Sequence, residues 1–144
     1  MFDSILIICT GNICRSPIAE RLLRSKLEDK NIDSAGTGAL KGYAADVTAI
    51  SVAERHGLSL ENHQAQQFTA GLARNYDLIL VMEKVHLESI SKIAPEVRGK
   101  TMLLGHWLGQ KEIPDPYRKS REAFESVYNL IEEACECWAK KLND

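Results

Sequence analysis

Cys9 and Arg15 stand six positions apart, with Gly11 between them and Ser16-Pro17 directly after. A thiolate is a strong nucleophile, and a guanidinium is a planar fork that grips two phosphate oxygens at once, which lysine cannot copy. The C-x5-R spacing is a weak signal by itself in a chain with four cysteines and eight arginines. Its context sharpens it. Cys9 follows the apolar run Ile5 to Ile8, the intervening stretch is polar, and Ser16-Pro17 opens a helix. Serine is the expected N-cap there and proline the first helical residue. A loop between a strand and a helix N-terminus can turn successive backbone N–H groups onto a tetrahedral oxyanion, with the helix end adding positive potential. The same field stabilises a thiolate, since cysteines so placed have pKa values of about 3.5–7.5 rather than roughly 8.5. An ionised Cys9 would attack phosphorus in line with the leaving oxygen. The loop and Arg15 would hold the equatorial oxygens, and Ser16 would donate a hydrogen bond to the thiolate.

The departing oxygen needs a proton, and a placed carboxylic acid contributes about 10²–10⁴ in rate. Asp115 is the candidate, in Ile113-Pro114-Asp115-Pro116-Tyr117. The flanking prolines stiffen the segment and present the carboxyl from a restricted loop. Asp-Pro is also a common turn signal, so the assignment depends on the partnership with Cys9.

The elements that must position these groups follow from periodicity. Ile5 to Ile8 is a β-branched-rich run that fits a strand buried on both faces. Ile18, Ala19, Leu22, Leu23 and Leu27 have helical spacing. The pattern continues with a strand over 32–36, a helix from Asp46 to His56 stopped by Gly57, and a short helix over 70–75. Next come a strand over 77–82, a helix from Lys84 to Ala94 closed by Pro95, a strand over 101–104, and a long last helix. Alternating strands and helices predict an α/β fold, a parallel sheet with helices on both faces, and a ligand site beyond the carboxyl ends of the strands. The 144 residues show no repeat or linker, so one domain spanning 1–144 is expected.

A net charge of −2 provides no basic field for nucleic acid. Arg118, Lys119 and Arg121 form a short basic cluster of the kind that usually faces solvent. The first apolar run is too short for a signal peptide or a membrane span, so a cytoplasmic protein without direct membrane insertion is expected. Cys9, Cys14, Cys135 and Cys137 are then expected as thiols. His56, His63, His86 and His106 are scattered and lack metal-ligand spacing, so neither metal nor cofactor is implied. Cys135 reads as a core residue of the last helix.

The run Cys9-Thr10-Gly11-Asn12-Ile13-Cys14-Arg15-Ser16-Pro17, with the distant Asp115-Pro116-Tyr117, resembles the low-molecular-weight protein tyrosine phosphatases. The likeness extends to Ser34-Ala35-Gly36 and Tyr76 to Leu80, and so over essentially the whole chain. It implies a single-domain three-layer sandwich with a four-stranded parallel sheet, a cysteinyl-phosphate intermediate and no metal. Cys9 would be the nucleophile, Arg15 the clamp, and Asp115 the acid and then the base for water. Thr10, Gly11, Asn12, Ile13, Cys14 and Ser16 would complete the phosphate loop, with Asn12 bracing it. Ile13 and Tyr117 would wall the substrate ring, with Leu40 at the rim, and apolar walls suit a phenyl phosphate. Leu40 stands where animal members carry tryptophan, and Arg118 where they have a second aromatic. Both features resemble the bacterial branch that works beside membrane-bound tyrosine autokinases of capsule and exopolysaccharide export. Gln66 stands where the resemblance expects arginine. Members with the Cys9–Cys14 pair can close it as a reversible disulfide, which would make Cys14 a redox partner. A monomer is the default expectation.

Three alternatives accompany this reading. Arsenate reduction on the same fold needs further cysteines after the third strand, and the stretch 82–94 has none. Family members that hydrolyse phosphoarginine tend to carry threonine where this chain has Ile13. A non-catalytic phosphate-binding module would be favoured by loss of Cys9, Arg15 or Asp115, and all three are present.

Overall fold

The computed structural model describes residues 2–143. Four parallel strands form one sheet: β1 (Ser4–Cys9), β2 (Asn31–Gly36), β3 (Leu78–Val81) and β4 (Thr101–Leu103), in spatial order β2-β1-β3-β4. β1 lies in the middle because both its faces are apolar. Ile5 and Ile7 pack into one core layer, and Leu6 and Ile8 into the other. The first layer is covered by α1 (Arg15–Lys26), α2 (Val47–Arg55) and α5 (Arg121–Leu142), through Leu22, Val52 and Ile131 among others. The second is covered by α3 (Ala70–Ala73), α4 (Lys84–Ile93) and a 3₁₀ turn over Pro95–Lys100, through Ala73, Ile90 and Val97. The expected three-layer α/β sandwich is therefore the observed one.

From β1 the chain first crosses to β2 on one side and then to β3 on the other. This reversal opens a crevice at the carboxyl end of β1, the place where open α/β sheets bind ligands. The ladder pairs Cys9 with Gly36 at this edge, and Ile8 with Val81.

The element boundaries agree with the periodicity to within about two residues, as helix ends allow. Asp46 caps α2, its Oδ1 accepting from the N–H groups of Thr48 and Ala49 at 2.9 and 3.1 Å, and the backbone turns out at Gly57 with φ +77°. The 3₁₀ turn after Pro95 has no periodic signature and was not expected. Ser16 is not the N-cap of α1. The helix starts at Arg15 with Cys14 in the capping position, and the Ser16 hydroxyl is turned back into the loop.

Candidate active site

The loop from Cys9 to Cys14 is held by its carbonyl oxygens. Cys9 O accepts from Thr37 N–H at 3.0 Å, Thr10 O from Gly38 N–H at 3.0 Å and Gly11 O from Leu40 N–H at 3.1 Å. Asn12 O accepts from His63 Nε2 at 2.6 Å and Ile13 O from Asp46 N–H at 2.8 Å. Five successive carbonyls thus point outward to the surrounding protein. A trans peptide sets C=O and the following N–H on opposite sides of the bond. The N–H groups of Thr10, Gly11, Asn12, Ile13 and Cys14 therefore turn to the inside of the curve. Such a row of donors at a helix N-terminus is a cradle for an oxyanion.

Asn12 makes the curve possible. Its φ is +60°, a left-handed conformation that asparagine tolerates better than most side chains. Its buried amide donates to Ser16 Oγ at 2.8 Å and Ser34 Oγ at 3.0 Å, while its Oδ1 accepts from Gln66 N–H at 2.9 Å. Ser34 Oγ in turn donates to Glu20 Oε1 at 2.7 Å, and Glu20 is paired with Arg21 at 2.9 Å and Arg24 at 3.5 Å. Burial lowers the pKa of His63, whose Nε2 must carry the proton it gives to Asn12 O. Gln66, where arginine was expected, has a place in this net: its side chain donates to Ser34 O at 2.9 Å.

Cys9 Sγ lies 2.9 Å from Ser16 Oγ and is 2% exposed. Since Asn12 donates to the Ser16 oxygen, the hydroxyl proton is free to point at sulfur. Arg15 is 1% exposed, with Nη1 committed to Glu83 Oε1 at 2.6 Å and Ile113 O at 2.7 Å. Its Nη2 stands 3.7 Å from Asp115 Oδ2, whose side chain is 46% exposed. The Asp115 loop is fixed to the sheet because Ile113 N–H donates to Met82 O at 2.9 Å, just past the end of β3. Cys9, Arg15 and Asp115 share one cleft of about 200 Å³, walled by Ile13, Leu40 and Tyr117. Arg118 does not extend that wall; its guanidinium lies over the Tyr117 ring at 5.3 Å from the centroid. Cys14 is buried beside the cleft as a free thiol, and burial raises its pKa well above the usual thiol range.

The structure thus gathers every residue singled out for the site. The sequence reading missed Glu83, His63 and His86. In the sequence the two histidines stand out only as potential metal ligands, and no local spacing links any of the three to the Cys9 loop. Among the described residues, no three His, Cys, Asp or Glu side chains are grouped as a metal site requires.

A family model for low molecular weight phosphotyrosine protein phosphatase matches residues 4–144. The chain belongs to this family. Its activity is that of a protein-tyrosine-phosphatase. The chain is 60% identical over 142 residues to the low molecular weight protein-tyrosine-phosphatase Etp of Escherichia coli K12, covering 99% of this chain and 96% of that one. The tyrosine phosphatase Wzb of Escherichia coli K30, solved in complex with sulphate, is similar at a TM-score of 0.97 and 67% identity, with 99% of each chain covered. The arginine phosphatase YwlE of Geobacillus stearothermophilus shares the fold at a TM-score of 0.91 but only 31% identity, over 97% of this chain and 92% of that one. No helix among the described residues is long and apolar enough to cross a membrane.

Proposed function

We propose that this phosphatase works through Cys9 on phosphotyrosines of bacterial proteins, in two displacements at phosphorus. In the first, a Cys9 Sγ–P bond forms as the P–O bond to tyrosine breaks, and the departing phenoxide takes the proton of Asp115. In the second, a water loses a proton to Asp115 and attacks phosphorus. The S–P bond breaks, returning the thiolate and releasing inorganic phosphate. The inward N–H groups of the loop and the Nε and Nη2 edge of Arg15 stabilise the equatorial oxygens, acting in a site that is already organised. The observation that carries this reading is the outward bonding of five successive loop carbonyls around Cys9.

Depth supports the substrate class. Cys9 is 2% exposed in a cleft whose lining residues Leu40 and Tyr117 are 36% and 38% exposed, so a phosphate reaches the sulfur on a long flat phenyl ring more readily than on serine. Ile13 adds an apolar wall where phosphoarginine-specific members tend to carry threonine. The physiological partner proposed is the phosphorylated tail of a membrane-bound tyrosine autokinase of capsule or exopolysaccharide export. The partner rests on the likeness to the bacterial branch, and the reading that goes with it is of a monomer acting in the cytoplasm.

Phosphate release from phosphotyrosine, phosphoserine and phosphoarginine peptides, with a chelator present, tests the proposal. Wild type should turn over the phosphotyrosine peptide fastest, Cys9→Ser should be inactive, and Asp115→Asn should lose about 10²–10⁴ in kcat. Undiminished turnover by Cys9→Ser would sink the mechanism, and preference for phosphoarginine would sink the substrate class.

A further inference from the structure

The first turn of α4 meets the phosphate loop at both ends. Glu83, the N-cap residue of α4, takes Arg15 Nη1 at 2.6 Å, where the loop ends. His86, three residues on and 1% exposed, reaches Thr10, where the loop begins. The hydrogen-bond partners define its tautomer. Nδ1 lies 3.0 Å from the backbone N–H of Glu83, which can only donate, so Nδ1 is the bare acceptor. In a neutral imidazole the proton is then on Nε2, which stands 2.9 Å from Thr10 Oγ1 and donates to it. Burial, and after it the charge of Arg15, lowers the His86 pKa to about 4, so the ring is neutral at ordinary pH. The two tethers are also joined, because the Glu83 N–H held by His86 belongs to the residue that holds Arg15.

We propose that His86 is a positioning residue for the phosphatase reaction, acting with Glu83 as a template that holds Thr10 and Arg15 at the separation a phosphoryl group requires. The proposal rests on the reading of Cys9 as nucleophile. His86 has no access to substrate and acts through Thr10, the residue next to the nucleophile and the first whose N–H faces the cradle. Thr10 is exposed and its carbonyl is held by Gly38 N–H, so loss of the histidine removes the hold on its side chain alone and lets the donors that follow shift slightly out of line. Misplacement on this scale is felt in the transition state and in oxyanion affinity more than in global stability.

The test compares wild type with His86→Leu, His86→Gln, Thr10→Val, the Leu/Val double variant and a Cys9→Ser control. For each, kcat/KM on a phosphotyrosine peptide, the inhibition constant of inorganic phosphate and the melting temperature are measured. His86→Leu and Thr10→Val should each lower kcat/KM and weaken phosphate inhibition about tenfold, with the double variant no worse than the poorer single. His86→Gln should recover most of the loss, because its amide can accept from Glu83 N–H and donate to Thr10. Additive losses, or a lowered melting temperature with both kinetic constants at wild-type values, would overturn the proposal. Should His86→Leu fail to fold, wild-type phosphate inhibition in Thr10→Val overturns it instead. Activity retained by Cys9→Ser would count against the nucleophile assignment rather than this one.

Discussion

Arg15 shows what the site demands of single residues. An unpaired guanidinium at 1% exposure would cost several kcal/mol, and here Glu83, Ile113 O and Asp115 surround it. The same contacts orient it, so the group proposed to receive substrate oxygens is fixed before substrate arrives. Cys14 poses the opposite case, a buried thiol that the two displacements do not use. A Cys9 oxidised by peroxide to a sulfenic acid would have the Cys14 thiol as the proposed partner for condensation to a disulfide and water. Wild type should then regain most of its activity under added thiol, whereas Cys14→Ser should regain less because its sulfenic acid oxidises further. Burial raises the Cys14 pKa, so protection by Cys14 should improve as pH rises. Equal recovery of the two proteins across that range would remove Cys14 from any redox role.

Among elements, β2 carries a requirement that its own pairing does not reveal. Its last residue, Gly36, lies opposite Cys9, and a Cβ added there would run into the Thr10 carbonyl and stand 3.1 Å from Asn12 N. The neighbours are backbone, so they cannot swing aside as a flexible side chain could. Gly36→Ala should therefore cost about 2 kcal/mol in urea unfolding and also weaken inhibition by inorganic phosphate, since the loop itself must shift. A stable variant with unchanged phosphate inhibition would show that β2 does not press on the loop. Away from the cleft, Trp138 of α5 donates to Leu104 O at 2.7 Å, anchoring the chain just after β4.

At the scale of the whole molecule, the site shapes the pH dependence of stability. His86 titrates near 4 in the fold against an ordinary value of 6.5, and Arg15, Glu83, Asp115 and Glu112 are the charged groups that face it. The unfolded chain thus takes up the proton first. The contribution of His86 is fully present above pH 6.5 and is lost as pH falls toward 4, at most about 3 kcal/mol. His63, also lowered, acts in the same direction. Urea unfolding followed from pH 7 to pH 4 should show this decline, and it should be shallower in His86→Gln. An unchanged slope in that variant would assign the acid sensitivity elsewhere, for instance to carboxylates such as Glu125 and Glu136, whose pKa values are lowered by His56 and Lys26.

The amino-acid sequence alone determined the order of strands and helices, because buried runs and helical spacing are local properties. It also identified Cys9, Arg15 and their loop, since one strand end, one glycine and one helix start lie within nine residues. Asp115 needed more, and became legible only as the partner of that loop. Glu83, His63 and His86 stayed hidden, because their partners are 51 to 76 positions away and nothing in their neighbourhoods differs from ordinary helix or turn sequence. Ser16 was misplaced as a cap for a related reason: a serine before proline looks like a helix start, but a buried hydroxyl goes where its strongest partners are, here Cys9 and Asn12. Which carbonyls of the loop turn outward, and so which N–H groups remain to bind an oxyanion, was decided only when the segment after β2, the N-cap of α2 and His63 closed around it. Hydrogen-bond partners are a property of the assembled fold and not of any one segment.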